Sequence, residues 1–197
     1  MEISIVDYAV GAAVGTDLVS TSPTVRGAAG DAIPGPDELT RFLAERDVRL
    51  DAAGARADEA DVFQVHLLRR EVRGVLETET EEQAVAGGTV LAGRAGRGPV
   101  LRRVGGAWQW FVPTVPGAPL ADELAALIGI GLLGTVRTLG HDRFRACAAP
   151  DCRGVFADTS RAGRRRYCMP DLCGNRLNVA NHRARRQAGS DPMGAVR

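Results

Sequence analysis

The hydrophobic pattern in the first 140 residues is mainly helical. It is clearest from Ala57 to Thr78, where apolar residues keep three-and-four spacing at Val62, Val65, Leu68, Val72 and Val75. This spacing places a continuous apolar stripe on one face of a helix. We expect Arg69 on the solvent side of this helix and His66 at the edge of the core.

Two further helices are predicted on either side of this one. The first begins at Pro36 and Asp37, since proline and an acidic residue are typical of a first helical turn. Its apolar face carries Leu39, Phe42 and Leu43. The second covers residues 120–139, with acidic residues near its start and Arg137 near its end.

The last helix contains Gly129, Gly131 and Gly134, which match the text pattern G-x-G-x-x-G. A dinucleotide-binding loop needs these glycines between a strand and the start of a helix. Here they lie well inside a helical segment, so we reject that function. Close helix packing or a kink is expected instead.

Between residues 89 and 112, the spacing of apolar residues changes from the helical period to the alternation typical of strands. Val100, Arg102 and Val104 alternate, and Trp108, Trp110 and Val112 alternate after the glycine pair 105–106. This pattern predicts a β-hairpin with both tryptophans on one face. Packing of the tryptophans against the helices is expected, and a ligand-pocket wall is the alternative.

The remaining N-terminal segments are less regular. Residues 1–21 predict a short strand or turn that leads into a helix, and residues 22–36, rich in Pro, Gly and Ala, predict a loop. Glu81 and Glu82 are expected in a polar linker after a helix. No serine, cysteine or histidine has an evident base partner, so the sequence does not favour an enzyme.

Charge is distributed unevenly along the 197 residues. Residues 1–136 contain twelve arginines and nineteen acidic residues, a net charge of −7, whereas residues 137–189 contain twelve arginines and four acidic residues, a net charge of +8. This asymmetry is typical of a nucleic-acid-binding module attached to another domain. All 25 basic residues are arginine, which reflects a high-GC genome as much as a function.

No segment has the pattern of a signal peptide or a membrane span, because acidic residues stand at the N-terminus and no long apolar stretch follows. We therefore expect a cytoplasmic protein. A reducing compartment favours metal binding over disulfides for its cysteines.

The four cysteines form two pairs with equal spacing, at Cys147, Cys152, Cys168 and Cys173. Two such knuckles can provide the four thiolates of a tetrahedral Zn²⁺ site, and four thiolates leave no open position for catalysis. The expected site is therefore structural. Two disulfides in an exported protein are the alternative.

A basic helix is predicted after Cys173, with Gly174 and Asn175 at its N-terminus. Arginine and asparagine reach guanine and adenine edges in a major groove and also contact phosphates. The alternative is a solvated basic face, or one that docks on the acidic N-terminal region. The candidate DNA-contacting residues are Arg164, Arg165, Arg166, Asn175, Arg176, His182, Arg183, Arg185 and Arg186.

Several short motifs in this region resemble the CGNR zinc finger family. Cys173-Gly174-Asn175-Arg176 is similar to the family signature, and Cys147 to Cys152 is similar to its first knuckle. Phe156-Ala157-Asp158-Thr159-Ser160 resembles its F-x-D-x-S element, and Arg165 to Cys168 resembles R-R-W-C, with Tyr167 in place of the tryptophan. Asn178 stands where many members have a lysine. The resemblance covers residues 143–186.

Members of this family usually carry a mostly helical ABATE domain ahead of the finger, thought to sense a stress or a ligand, and are regarded as bacterial transcription regulators. The sequence pattern predicts an α+β chain with a disordered tail at 188–197. The resemblance implies an ABATE-like domain at 1–140 and a finger at 141–187. It implies a Zn²⁺ cofactor and double-stranded DNA as the partner. A protein-interaction module that docks on an acidic partner is the alternative, and RNA is less favoured because exposed aromatic residues are scarce.

Overall fold

The computed structural model describes residues 1–52 and 56–173. Its helices are α1 (Tyr8–Ser20), α2 (Pro23–Arg26), α3 (Pro36–Glu45), α4 (Glu59–Leu76), α5 (Glu81–Gly93) and α6 (Leu120–Leu139). Its strands are β1 (Glu2–Ser4), β2 (Val100–Val104), β3 (Ala107–Pro113), β4 (Phe144–Ala146) and β5 (Val155–Ala157). The predicted α+β class, mostly helical at the N-terminus, is confirmed. None of the helices in the described ranges is long and apolar enough to cross a membrane.

Helix α6 lies at the centre of the helical region, between α1 and α5. Glycine permits the close approach of these backbones: a Cβ atom at Gly129 would lie 2.4 Å from the amide nitrogen of Ala92, and one at Gly131 would lie 2.3 Å from that of Ala12. The prediction that these glycines serve close helix packing is confirmed.

Helix α4 forms where its apolar stripe predicted it, and its five stripe residues are buried. It begins with a capping box, in which the side chains of Asp58 and Asp61 each accept a hydrogen bond from the other residue's backbone N–H. His66 lies at the edge of the core, as expected, with Nε2 2.8 Å from the carbonyl oxygen of Ile33.

The expected exposure of Arg69 is wrong. Its side chain is buried and donates two hydrogen bonds to the carboxylate of Asp31, at 2.8 and 2.6 Å. Asp31 lies in the segment predicted to be only a loop, so the pattern of α4 alone could not reveal this partner. A bidentate arginine–carboxylate pair satisfies both charges below the surface.

Two helices were not predicted. Pro23 opens α2 at its first position, and Val25 is buried, so part of the expected loop at 22–36 is helical. The acidic pair Glu81 and Glu82 forms the first turn of α5 rather than a linker, with Thr80 as the N-cap. Helix α5 lacks a stripe of large apolar residues because much of its contact with α6 is made through small residues such as Gly88.

The predicted hairpin is present, and β1 adds a third antiparallel strand in the order β1-β3-β2. Gly105 and Gly106 form its turn with φ of 57° and 87°, values that favour glycine. The expected packing of the tryptophans in the core is wrong: Trp108 is 66% exposed and Trp110 is 50% exposed. This face of the hairpin stays open in the part of the chain that the structure describes.

Candidate metal centre and nucleic-acid interface

The four cysteines converge from two separated segments. Cys147 follows β4 and Cys152 precedes β5, while Cys168 lies two residues before a helical turn that begins at residue 170, and Cys173 lies within that turn. All four sulfur atoms lie within 4.8 Å of one another. The Sγ–Sγ distances are 3.7 Å for Cys152–Cys168, 3.8 Å for Cys152–Cys173 and 3.7 Å for Cys168–Cys173.

These distances fit a tetrahedral zinc ion. With Zn–S bonds of about 2.3 Å, the sulfur atoms at the corners of a tetrahedron are about 3.8 Å apart. A disulfide would require about 2.05 Å, and all four cysteines are free. The alternative of two disulfides is therefore wrong, and the donor set is the one that Zn²⁺ prefers.

Backbone amides point at the sulfur atoms of the cluster. The N–H of Gly154 donates to Cys152 Sγ, and the N–H of Cys168 donates to Cys147 Sγ, each at 3.4 Å. Burial opposes ionisation of Cys147, but hydrogen bonds from the amides of Ala149 and Cys168 outweigh it and lower the pKa of this thiol. Such bonds stabilise the thiolate, the form that binds metal.

Burial also raises the pKa of Cys168 and of Cys173, and the charges of neighbouring sulfur atoms add to the effect at Cys168. Four thiolates at this separation repel one another and lose solvation. A divalent cation at the centre reverses this penalty, so metal binding and ionisation of the thiols are coupled.

Phe156 and Gly154 form the support of the cluster. Phe156 is fully buried, and the guanidinium of Arg165 lies 4.9 Å from its ring centroid. A Cβ atom at Gly154 would lie 2.3 Å from Cys168 Sγ, so only glycine lets the chain pass this sulfur without a shift. Both residues therefore position ligands rather than provide them.

Asp158 organises the loop between the two knuckles. Its fully buried carboxylate accepts hydrogen bonds from Ser160 Oγ at 2.5 Å, from the Arg165 amide at 3.1 Å and from Arg145 Nη1 at 3.2 Å. Burial alone would raise the pKa of Asp158, but these bonds and the amide of Ser160 outweigh it and lower the pKa. The aspartate and serine of the F-x-D-x-S element thus have a structural role.

The finger segment packs against the helical region. Val155 and Ala157 of β5 belong to the same hydrophobic cluster as the buried residues of α1 and α6. The N–H of Ala157 donates to the buried hydroxyl of Thr16 at 3.0 Å. In return, Val25 of α2 packs with the cysteines and Phe156. Contacts beyond the short connection after α6 therefore join the two parts.

The candidate DNA-contacting arginines differ in exposure. Arg164 and Arg166 are exposed, whereas Arg165 is half-buried and donates to the carbonyl oxygens of Tyr167 at 2.9 Å and Cys168 at 2.5 Å. Sequence reasoning did not single out Arg153 and Arg161, which are also exposed; only their position near the knuckles could have indicated them. The other candidates, Asn175, Arg176, His182, Arg183, Arg185 and Arg186, lie outside the described residues, as does most of the predicted basic helix.

The fold and the cluster together define a helical domain joined to a four-cysteine zinc finger. Residues 143–186 match the family described as CGNR zinc finger. Residues 12–131 match ABATE, described as "putative stress-induced transcription regulator". The second match covers more than half of the 197 residues, so the chain belongs to the ABATE family. No match was found among curated proteins.

These matches confirm the two-part architecture and the zinc cofactor that the sequence motifs indicated. The chain is therefore an ABATE-family member that carries a four-cysteine zinc site. The matched families are a regulator and a zinc finger, not enzyme families.

Proposed function

We propose that this protein is a zinc-dependent, DNA-binding transcription regulator. The observation that carries the proposal is the set of exposed arginines around the four-cysteine cluster. Arg153, Arg161, Arg164 and Arg166 are exposed, and none forms a salt bridge within residues 1–52 and 56–173. Guanidinium groups without carboxylate partners are suited to phosphate oxygens.

The other finger arginines within the described residues, Arg143, Arg145 and Arg165, have structural partners. Arg145 pairs with Asp158, and Arg143 Nη1 donates to the carbonyl oxygens of Asp158 at 3.2 Å and Ser160 at 2.9 Å. The finger therefore divides its arginines between loop stabilisation and an exposed basic surface.

Zinc would act by holding this surface together. The amide of Ala148 in the first knuckle donates to the carbonyl oxygen of Arg166 at 2.8 Å, so the position of Arg166 depends on contact between the knuckles. Bringing both knuckles to one ion fixes that contact. Without the ion, the chain between Cys147 and Cys173 contains few apolar residues to maintain it.

DNA recognition would then combine two contributions. The exposed arginines of the knuckles contact phosphates, and base edges are reached by the segment after Cys173, with Asn175, Arg176, His182, Arg183, Arg185 and Arg186 as the proposed residues. Residues 1–140 would be the regulatory domain, 141–187 the finger and 188–197 a tail, in a cytoplasmic protein. A role for Arg165 at DNA would have to use N–H groups left over from its two carbonyl contacts.

Fluorescence anisotropy on duplex DNA across a salt series tests the proposal. Zinc-loaded protein should bind with an affinity that falls linearly in log salt, because phosphate contacts release counterions. The variant Arg164→Ala/Arg166→Ala should bind more weakly and reduce the salt slope by about 1–2. Arg49→Ala, which removes an 86% exposed arginine of the helical region, is the matched control and should bind normally.

A second double variant addresses the segment after the cluster. Arg183→Ala/Arg186→Ala should reduce DNA binding while zinc content stays stoichiometric. Loss of zinc in this variant would assign those residues a structural role and contradict the proposed interface. Absence of wild-type binding near physiological salt, with zinc present, would favour the acidic-protein partner instead.

A further inference from the structure

A cavity of about 710 Å³ lies between strand β3 of the three-stranded sheet and helices α5 and α6. This volume is within the range of about 300–1,000 Å³ typical of small-molecule sites. Its walls are mainly apolar and include Tyr8, Trp110, Val112, Ile130 and Leu133. The half-exposed Trp110, which is not part of the hydrophobic core, thus forms part of the cavity wall.

The charged residues of the cavity are both arginines. Arg97 and Arg137 contribute to its lining, which includes no acidic residue. Both are exposed, and neither forms a salt bridge with another described residue. An uncompensated pair of arginines is unusual in its surroundings, since residues 1–137 contain nineteen acidic residues and thirteen arginines.

Small residues keep the cavity open. Gly93 ends α5 at the cavity, and a Cβ atom built there would meet nothing within 4 Å. No packing contact requires a glycine at this position, so a larger side chain here would extend into free space. At Gly134, by contrast, a Cβ atom would lie 2.3 Å from Tyr8 Cβ, so this glycine seats the Tyr8 ring against α6.

We propose that this cavity binds a small apolar carboxylate, with its hydrocarbon part against Trp110 and Leu133 and its carboxylate at Arg97 and Arg137. Charge complementarity selects this class over a neutral or cationic apolar ligand, and the concave volume suits one small molecule. The proposal does not depend on DNA binding, so failure of one leaves the other standing.

Decanoate is a suitable probe, and Trp110 can report its binding. The chain has two tryptophans, so the full-length variant Trp108→Phe emits from Trp110 alone. Titration with decanoate should give a saturable change in this emission. Decyltrimethylammonium has the same chain length and the opposite charge. It should bind at least about tenfold more weakly, because it cannot accept the hydrogen bonds that the arginines donate to a carboxylate.

Two variants in the Trp108→Phe background locate the site. Gly93→Leu should abolish the saturable change by filling the cavity, whereas Gly74→Leu should not, although its Cβ also meets nothing within 4 Å. Arg97→Gln/Arg137→Gln should weaken decanoate by about tenfold to a hundredfold, whereas binding of the cationic probe should not weaken, because repulsion by the two arginines is removed.

Three results would overturn the proposal. The first is equal binding of the two probes, and the second is decanoate binding that survives Gly93→Leu. The third is a dimer, seen by sedimentation velocity, that Gly93→Leu dissociates, because the groove would then be covered by a second copy. Circular dichroism of each variant confirms that it is folded.

Discussion

The helical region and the zinc finger bury their interiors by different means. In the helical region, α1, α5 and α6 approach through glycine and bury a broad apolar core. Among the described residues, the buried cluster around the metal ligands has six members, of which three are cysteines and one, Val25, comes from α2: Val25, Cys147, Ala149, Phe156, Cys168 and Cys173. The helical region is therefore stabilised by close-packed helices, whereas the finger depends on a metal ion.

The two regions nevertheless share a surface. Val155 and Ala157 enter the helical core from β5, and Thr16 of α1 accepts a hydrogen bond from the finger backbone. Loss of zinc should therefore unfold the finger first and then loosen its contact with α1, while the packing of α5 against α6 remains.

The largest effect is expected from Cys168→Ser. Structural zinc contributes about 10–16 kcal/mol to folding of zinc-finger peptides, so loss of a ligand should release zinc and unfold the finger. Hydrogen exchange should rise at 144–173, while helical circular dichroism changes little. Leu172→Ser, at a residue 51% exposed beside Cys173, is the control. Retention of stoichiometric zinc in Cys168→Ser would argue against the four-cysteine site.

The helical region should be disrupted most by Gly131→Ala. The added Cβ would lie 2.3 Å from the backbone nitrogen of Ala12, and backbone cannot rotate away as a side chain can. We expect the free energy of unfolding to fall by about 3 kcal/mol, the upper end for overpacking, with zinc content unchanged. Urea denaturation measures the effect.

Gly74→Ala is the matched control for that substitution. Gly74 lies in α4, and its Cβ would meet nothing within 4 Å. Alanine is a better helix former than glycine, so this variant should be more stable by about 0.5–1 kcal/mol. If Gly131→Ala were as stable as wild type, the close contact of α1 with α6 would be contradicted.

Gly154→Ala applies the same chemical change to the finger. Its Cβ would lie 2.3 Å from Cys168 Sγ, so the ligand must move. We expect zinc affinity to fall by about 10–100-fold, as for other changes beside a ligand, with little effect on the helical core. Competition with a chromogenic chelator measures this affinity. Wild-type affinity would show that the cluster does not depend on this close contact.

A pH-dependent effect on stability is expected at Asp31. Burial alone would raise the pKa of Asp31, but the hydrogen bonds from Arg69 outweigh it and lower the pKa. The pair therefore stabilises the fold above the ordinary aspartate pKa of about 3.9, and this contribution is lost as the pH falls through the lower, folded-state value. Asp31→Asn should cost about 2 kcal/mol at neutral pH.

The difference in unfolding free energy between Asp31→Asn and wild type should shrink as the pH falls below about 4. Because both proteins lose zinc in acid, comparing them at each pH cancels that contribution. Asp37→Asn is the control, since Asp37 is 68% exposed in its pair with Arg56. A difference that stays constant with pH would exclude the Asp31–Arg69 pair as its cause.

The elements that could be predicted from sequence are those whose signal is local. The stripe of α4, the paired glycines of the hairpin and the spacing of the cysteines each depend on nearby residues. Helix α5 was missed because its small residues are informative only beside α6. The burial of Arg69 depends on Asp31, 38 residues away in the chain.

In the candidate site, too, the features with a local sequence signal could be predicted, and those that depend on distant partners could not. The four cysteines and the Zn²⁺ cofactor followed from spacing and from the resemblance to the finger family. The structural use of Arg165 and the exposure of Arg153 and Arg161 did not, because arginines in one sequence look alike until their partners are known. The DNA-contacting role of the segment after Cys173 stays a prediction.

The most direct test of the central claim is DNA binding by one preparation before zinc removal, after chelation and after zinc is restored, with the metal assayed at each step. The account predicts salt-dependent binding that disappears with the zinc and returns with one equivalent of it, while the helical circular dichroism persists. Equal binding by the zinc-free protein would contradict the claim that the metal-organised finger presents the basic surface.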